Sequence, residues 1–188
     1  MNIQKFTQKS REAINDCEKL ACDYGNQELE QEHLLVALLQ QEDGLIPKLI
    51  EKMGIDVAQF TESAKNKLAA RVKVSGGEMR WGQYLNNVLI HGEDEAKHMG
   101  DEYVSVEHLF LCLLKYPNKA MKELIREYGL TRDRFLQALS TVRGNQRVTS
   151  DNPEATYDTL EKYGYDMVER ARQQKLDPVI GRDEEIRN

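Results

Sequence analysis

Two stretches of this chain are apolar on nearly every side. Glu32-His33-Leu34-Leu35-Val36-Ala37-Leu38-Leu39 returns 75 residues later as Glu107-His108-Leu109-Phe110-Leu111-Cys112-Leu113-Leu114. A helix that is apolar all round is buried, whereas a surface helix keeps one polar face. Each stretch is therefore predicted as the central helix of its own small bundle, the first over about 31–41. One-faced stripes flank them. Ala13, Ile14, Cys17, Leu20, Ala21 and Tyr24 follow helical spacing over 8–24. Thr7 is placed to cap that helix and Gly25 to end it. Ile46, Leu49, Ile50 and Met53 predict a third helix, with Pro47 in its first turn and Gly54 as its stop. Asp56, with Gln59 three residues on, has the form of a capping box. It opens a fourth helix striped by Val57, Phe60, Ala64 and Leu68.

The same order of four helices then repeats. At the constant offset of 75, Gly25 aligns with Gly100, Leu49-Ile50 with Leu124-Ile125, Gly54 with Gly129 and Phe60 with Phe135. Ala21 faces Ala96, Leu29 faces Val104 and Ile55 faces Leu130. Glycines and apolar positions are kept while charges drift, as a shared backbone and a shared core would produce. In the second copy Leu85, Val88, Leu89, Ala96 and Met99 line the first helix and Ser105 caps the second. Met121, Leu124, Ile125 and Tyr128 line the third; Thr131 caps the fourth, whose inner side carries Phe135, Leu136, Leu139 and Val142. The predicted fold is all-α: a tandem pseudo-twofold repeat of two four-helix bundles over 1–143, with repeats at about 6–70 and 81–143 and no sheet.

Gly76-Gly77 marks the connector between the copies as a loop. Its Met79 and Trp81 either plug the seam between the bundles or form part of an exposed apolar contact site. Residues 144–152 are polar and aperiodic and read as a linker. Pro153 opens a short helix with Tyr157, Leu160 and Tyr163, and Asp166 caps another with Met167, Val168 and Ala171. The last residues carry no stop signal and read as a cut segment.

Composition narrows the function. The net charge of -6 is spread along the chain, without the basic stripe of a nucleic-acid binder. No apolar run approaches the ~18 residues of a membrane span, and no apolar leader follows Met1, so a soluble cytoplasmic protein is expected. Cys17, Cys22 and Cys112 fall on apolar helix positions and are expected as buried reduced thiols. His33 and His108 occupy equivalent places without the further ligands or His-x-x-x-His spacing of a metal site. They are expected as structural residues near helix starts, with Glu32 and Glu107 as first-turn carboxylates. His91 and His98, seven apart, are expected at the surface. Neither a phosphate loop nor a nucleophile elbow is present, so no catalysis and no bound cofactor is expected of this chain alone.

The two Glu-His-Leu helices, with Gly25-Asn26-Gln27-Glu28 ahead of the first and Asp101-Glu102-Tyr103-Val104-Ser105-Val106 ahead of the second, resemble the Clp N-terminal domain. The run Val142-Arg143-Gly144-Asn145-Gln146-Arg147-Val148-Thr149, then Asn152-Pro153-Glu154 and Leu160-Glu161-Lys162-Tyr163-Gly164, is similar to ClpB-type disaggregases. Lys175 to Ile186 resembles the entry to their first AAA+ ATPase domain, making 144–188 a linker and a truncated entry. The resemblance implies a mobile N-terminal domain of a homohexameric, ATP-driven chaperone, with ATP and Mg bound by the parent protein. It implies engagement of unfolded or aggregated polypeptide and cooperation with a DnaK-type chaperone. The substrate groove it implies uses Thr7, Asp101 and Glu107 around Leu89, although His108 stands where the family often has leucine. Val179 and Ile180 match the apolar segment that packs on adenine in the parent. The competing implication is an adaptor- or phosphoarginine-docking domain of a ClpC-type unfoldase, with Glu32 and Glu107 each receiving a guanidinium.

Overall fold

The computed structural model describes residues 2–74, 76–154 and 157. After a 3-10 turn at Ile3–Lys5, eight α-helices follow among the described residues: α1 Gln8–Tyr24, α2 Gln31–Leu39, α3 Leu45–Lys52, α4 Val57–Ala69, α5 Gln83–His98, α6 Val106–Lys115, α7 Lys119–Tyr128 and α8 Arg132–Arg143. Shifting α1–α4 by 75 lands each on its counterpart within a residue or two. The cap chemistry explains where they begin and end. The Thr7, Asp56, Asn118 and Thr131 side chains accept N–H groups of Ser10, Gln59, Met121 and Arg134, supplying acceptors that a helix start otherwise lacks. For Asp56 the structure shows only this half of the expected box. Gly25 and Gly129 close α1 and α7 in the left-handed region, at φ 71° and 64°.

Both central helices are buried as expected. Leu34, Leu35, Leu38, Leu109, Phe110 and Leu113 have no exposed surface. Phe110 stacks on Phe135, ring centroids 4.7 Å apart, and Phe60 meets Tyr128 edge-on at 5.0 Å. Val57 lies only half-buried and Cys22 is exposed, unlike Cys17 and Cys112. Cys22 sits one residue beyond the Ala21 stripe and aligns with exposed Lys97, so its position faces outward in both copies. Among the described residues no helix is long and apolar enough to cross a membrane. Leu160, Tyr163 and the later tail, including Asp166, Met167, Val168, Ala171, Val179 and Ile180, lie outside the described residues.

The all-α fold stands, but a two-stranded sheet corrects the expectation of no sheet. Glu28–Leu29 (β1) pairs in parallel with Arg80–Trp81 (β2), Glu28 opposite Arg80 and Leu29 opposite Trp81. A second bridge joins Phe6 to Val104. The offset of 75 takes Phe6 to Trp81 and Leu29 to Val104, so the two pairings are one feature seen twice. The lead-in to each copy's first helix crosses over and pairs with the segment ahead of the other copy's second helix. Strands of two residues carry no readable alternation, which is why the pattern missed them.

Candidate functional site

The crossed lead-ins bring helix starts from both copies together at two seams. At the first, Glu30 caps its own helix α2 by accepting the Gln31 N–H. Its carboxylate also accepts the N–H groups of Tyr84 and Leu85, each at 2.9 Å, in the first turn of α5. One carboxylate thus terminates helices from both repeats, where helix dipoles favour negative charge. Burial pushes its pKa up to about 7, against the lowering effect of those backbone bonds. Gly82, the residue before α5, has no side chain to give: a Cβ there would collide with the Glu30 carboxyl.

At the second seam the residues are exchanged. Thr7 stands in the place of Gly82 and Ser105 in the place of Glu30. The missing carboxylate arrives from elsewhere. Glu154, beyond α8, accepts a 2.8 Å bond from the Thr7 hydroxyl and a 3.3 Å bond from the Val106 N–H. Residues 145–154 and Tyr157 lie over this seam as a strap. Val148 donates its N–H to Asp101 and accepts from Glu102, and Asp151 accepts from Gln8. Val148 and Tyr157 are almost fully buried, and the Arg143 guanidinium sits over the Tyr157 ring at 5.9 Å. A polar, aperiodic run with one valine gives no sequence signal of docking, because backbone bonds do much of the anchoring.

The histidines are structural. His33 and His108 each accept the N–H of the helix-capping residue on Nδ1, at 2.9 Å, and each reach Asn26 or Asp101 through Nε2 at 2.9 and 2.7 Å. Burial, and then Arg71, lower His33 to about 4, so it is neutral. Burial raises the Asp101 carboxyl, but bonds from His108, Val148 and Arg143 outweigh it and hold it below the ordinary range. Among the described residues no cluster of three or more His, Cys, Asp or Glu could hold a metal. His98 is exposed as expected, whereas His91 stacks on Tyr116 with centroids 4.5 Å apart.

Thr7, Leu89, Asp101 and Glu107 are all buried. The structure brings Thr7, Asp101 and Glu107 together beneath the strap, while Leu89 belongs to the core. Glu32 and Glu107 each hold a guanidinium already, from Arg71 at 3.0 Å and Arg143 at 3.2 Å. Both come from this chain, about one helix turn apart in the repeat alignment: Arg143 occupies the place of Leu68, three residues before that of Arg71. The open apolar surface lies instead along the connector. Val72 is 79% exposed, and Val74, Met79, Trp81 and Tyr84 are 38–48% exposed. Of the two alternatives for Met79 and Trp81, the structure shows the exposed one. Backbone bonds from Val74, Arg80 and Gly82 to Gly25, Gln27 and Leu29 hold the connector along the first repeat. Beside it opens a cleft of about 560 Å³, lined by Val72 and Val74 and by Glu28, Glu32, Arg71 and Arg80.

Residues 5–128 match the Clp repeat (R) N-terminal domain family. The chain belongs to this family. Chaperone protein ClpB of Nitratidesulfovibrio vulgaris is 48% identical across all of this chain, and that of Clostridium tetani 43%. The chain spans about 22% of the length of these relatives. The crystal structure of the Hsp104 N-terminal domain from Candida albicans superposes with a TM-score of 0.70, at 22% identity, covering 80% of this chain and 99% of that one. A ClpV N-domain in complex with a VipB peptide gives 0.62 at 17% identity, covering 81% and 91%. These structures share the Clp N-domain fold described above.

Proposed function

We propose that this Clp N-domain is the polypeptide-binding module of a ClpB-type disaggregase. The observation that carries the reading is the exposed apolar edge of the connector. Val72, Val74, Met79, Trp81 and Tyr84 fall between residues 72 and 84 and are exposed, and backbone bonds from Val74, Arg80 and Gly82 tie this stretch to the first repeat. Apolar surface of this kind, rimmed by charge, suits association with exposed hydrophobic segments. The ClpV N-domain, whose solved complex contains a peptide, is consistent with the same use of the fold. In the parent, ATP and Mg would be bound by AAA+ domains of a homohexamer, with a DnaK-type chaperone as partner in the cytoplasm. Six weak sites gain by multivalency, so single-site affinity in the high-micromolar range suffices.

Trp81 is the chain's one tryptophan, and it sits in the proposed surface. A titration with a tryptophan-free unfolded polypeptide should shift its emission saturably and with little salt dependence, since apolar burial dominates. Val72→Ser with Val74→Ser should weaken binding without unfolding the domain, both being exposed. An unchanged Trp81 signal would sink the proposal. Binding that collapses with salt and ignores these substitutions would favour docking at the charged cleft of Glu32 and Arg71 and at its counterpart Glu107 and Arg143. Leu89→Gln cannot serve as the probe, because at 2% exposure it would bury an amide in the core.

A further inference from the structure

The second repeat carries a cleft of its own, about 570 Å³ in volume, lined from α5, α6, α7 and the start of α8, a size within the range of small-ligand sites. Leu114, Ile125 and Leu130 form its apolar part, and His91 and Tyr116 line it as a stacked pair. Glu95 and Arg132 line it too. The Glu95 carboxylate is 5% exposed and accepts from Arg132 on both oxygens, at 3.1 and 2.5 Å. The first repeat serves as an internal control. Moving back 75 residues turns Glu95 into Leu20 and Arg132 into Val57, so the same fold is built there with apolar residues at both positions. It also turns His91 into Asp16, Lys115 into Gln40 and Tyr116 into Gln41. A buried ion pair is often no more stabilising than apolar residues in its place, so fold stability does not account for the pair. The recoded residues all line one cleft, and that concentration points to a ligand.

We propose that this cleft binds the C-terminal residue of a polypeptide whose last side chain is apolar. This rests on the polypeptide-binding reading above and names the part of the chain that is gripped. Three features of the cleft match three features of such a residue. Both Glu95 oxygens are spent on Arg132, so the accessible lining charges are Arg132 and Lys115 against Asp94, with cations in excess. The guanidinium has more N–H donors than the two that Glu95 takes, and a second carboxylate can join it. His91 Nδ1 meets the Asn87 carbonyl at 2.8 Å, and a carbonyl only accepts, so Nδ1 carries the proton. Nε2 of the neutral ring is then an acceptor. It suits the amide N–H of a terminal residue and finds no donor in a simple organic carboxylate. The Leu114, Ile125 and Leu130 surface takes the apolar side chain. The cleft also lies in line with the connector. Tyr84 and His91 stand at i and i+7 on α5 and share a face, about 10 Å apart along the axis at roughly 1.5 Å per residue. About three extended residues cover that distance. A chain anchored by its end in the cleft therefore reaches Tyr84, where the open apolar surface begins.

The test uses the full chain and three tryptophan-free probes: acetyl-dialanyl-phenylalanine with a free carboxylate, the same peptide as its C-terminal amide, and 3-phenylpropionate. Binding is read from amide NMR shifts at Leu114, Lys115 and Arg132. The free carboxylate should bind saturably. The amide and phenylpropionate should each bind about tenfold or more weakly, as the loss of a hydrogen bond to a charged or buried group implies. Glu95→Leu/Arg132→Val, which restores the first repeat's pair, should keep its urea midpoint or raise it. It should lose about tenfold or more in affinity for the free carboxylate. Arg132→Gln gives the same binding readout should the double variant fold poorly. No saturable binding of the free carboxylate, or variants with wild-type affinity, overturns the site. An amide that binds as tightly as the acid overturns carboxylate recognition. Phenylpropionate binding as tightly as the peptide overturns the chain-end assignment in favour of a free organic acid. In each case a Trp81 response to unfolded polypeptide leaves the connector reading standing. Chain-end binding without that response removes the connector reading and keeps this site.

Discussion

Gly82→Ala tests the crossed-seam architecture at its tightest point. Gly82 has φ -71° and ψ 159°, an ordinary extended conformation that alanine adopts without strain. The whole cost therefore comes from the collision of the new Cβ with the Glu30 carboxyl. If the carboxyl stays, overpacking costs about 1–3 kcal/mol. If it moves, the 2.9 Å bonds to Tyr84 and Leu85 are lost, at roughly 1.5–3 kcal/mol for each charge-assisted bond. The protein takes the cheaper compromise, and the reduced freedom of the unfolded chain returns about 0.4–1 kcal/mol. A net loss of about 2–3 kcal/mol follows from these opposing terms. With a urea m-value of about 1–3 kcal/mol/M, the unfolding midpoint should fall by roughly 1–2 M. Glu30→Ser in the Gly82→Ala background removes the obstacle and reproduces the serine found at Ser105. The two substitutions should then be non-additive, the double variant being more stable than the sum of the singles implies. A neutral Gly82→Ala, or strict additivity, would refute the claim that one carboxylate occupies the space of a side chain from the other repeat.

Leu38→Ala and Leu113→Ala, both at fully buried positions, should each cost about 2–5 kcal/mol in urea unfolding. His33 is held at about 4 by burial, below its ordinary value, so the unfolded chain binds the extra proton. Stability should therefore fall as pH drops from 6.5 towards 4, by up to roughly 3 kcal/mol, and a His33→Gln variant should show a flatter profile. Glu154 behaves oppositely: burial, then Glu107, raise it to about 7, among Glu107 on α6, Asp101 ahead of α6, Arg143 on α8 and Tyr157. The docked strap binds the proton, so the contribution of Glu154 to docking is fully present below the ordinary carboxylate value and is lost as pH rises through about 7. Protection at Val106, compared with Glu154→Gln to remove intrinsic exchange effects, should decline over that window.

The repeat was the most legible feature because it is written in residues that shape the backbone. Gly25 and Gly100, Gly54 and Gly129, and the two leucine-rich helices fix turns and cores whatever the surrounding charges do. The helix caps at Thr7, Asp56 and Thr131 were equally local and equally readable. Contacts between distant segments were not. Arg71 and Arg143 reach Glu32 and Glu107 from 39 and 36 residues away, and no periodicity links them. Glu30 stands just ahead of α2 in the sequence, and nothing local shows that it also caps α5. A signal did exist in the alignment of the repeats. The pair Glu30 and Gly82 faces Ser105 and Thr7, one large side chain and none against two small ones, and a paired exchange of that kind marks sites that touch.

The same exchange explains why the two seams are closed by carboxylates of different origin. In the first, the carboxylate that terminates two helices is part of the repeat itself, one residue ahead of α2. It cannot leave without unfolding the lead-in that carries it. In the second, Ser105 is too short to reach the partner helix start, and the carboxylate comes from Glu154, on the segment that follows α8. Serine replaces Glu30 in the second copy, and the acid there comes from Glu154, outside the repeat.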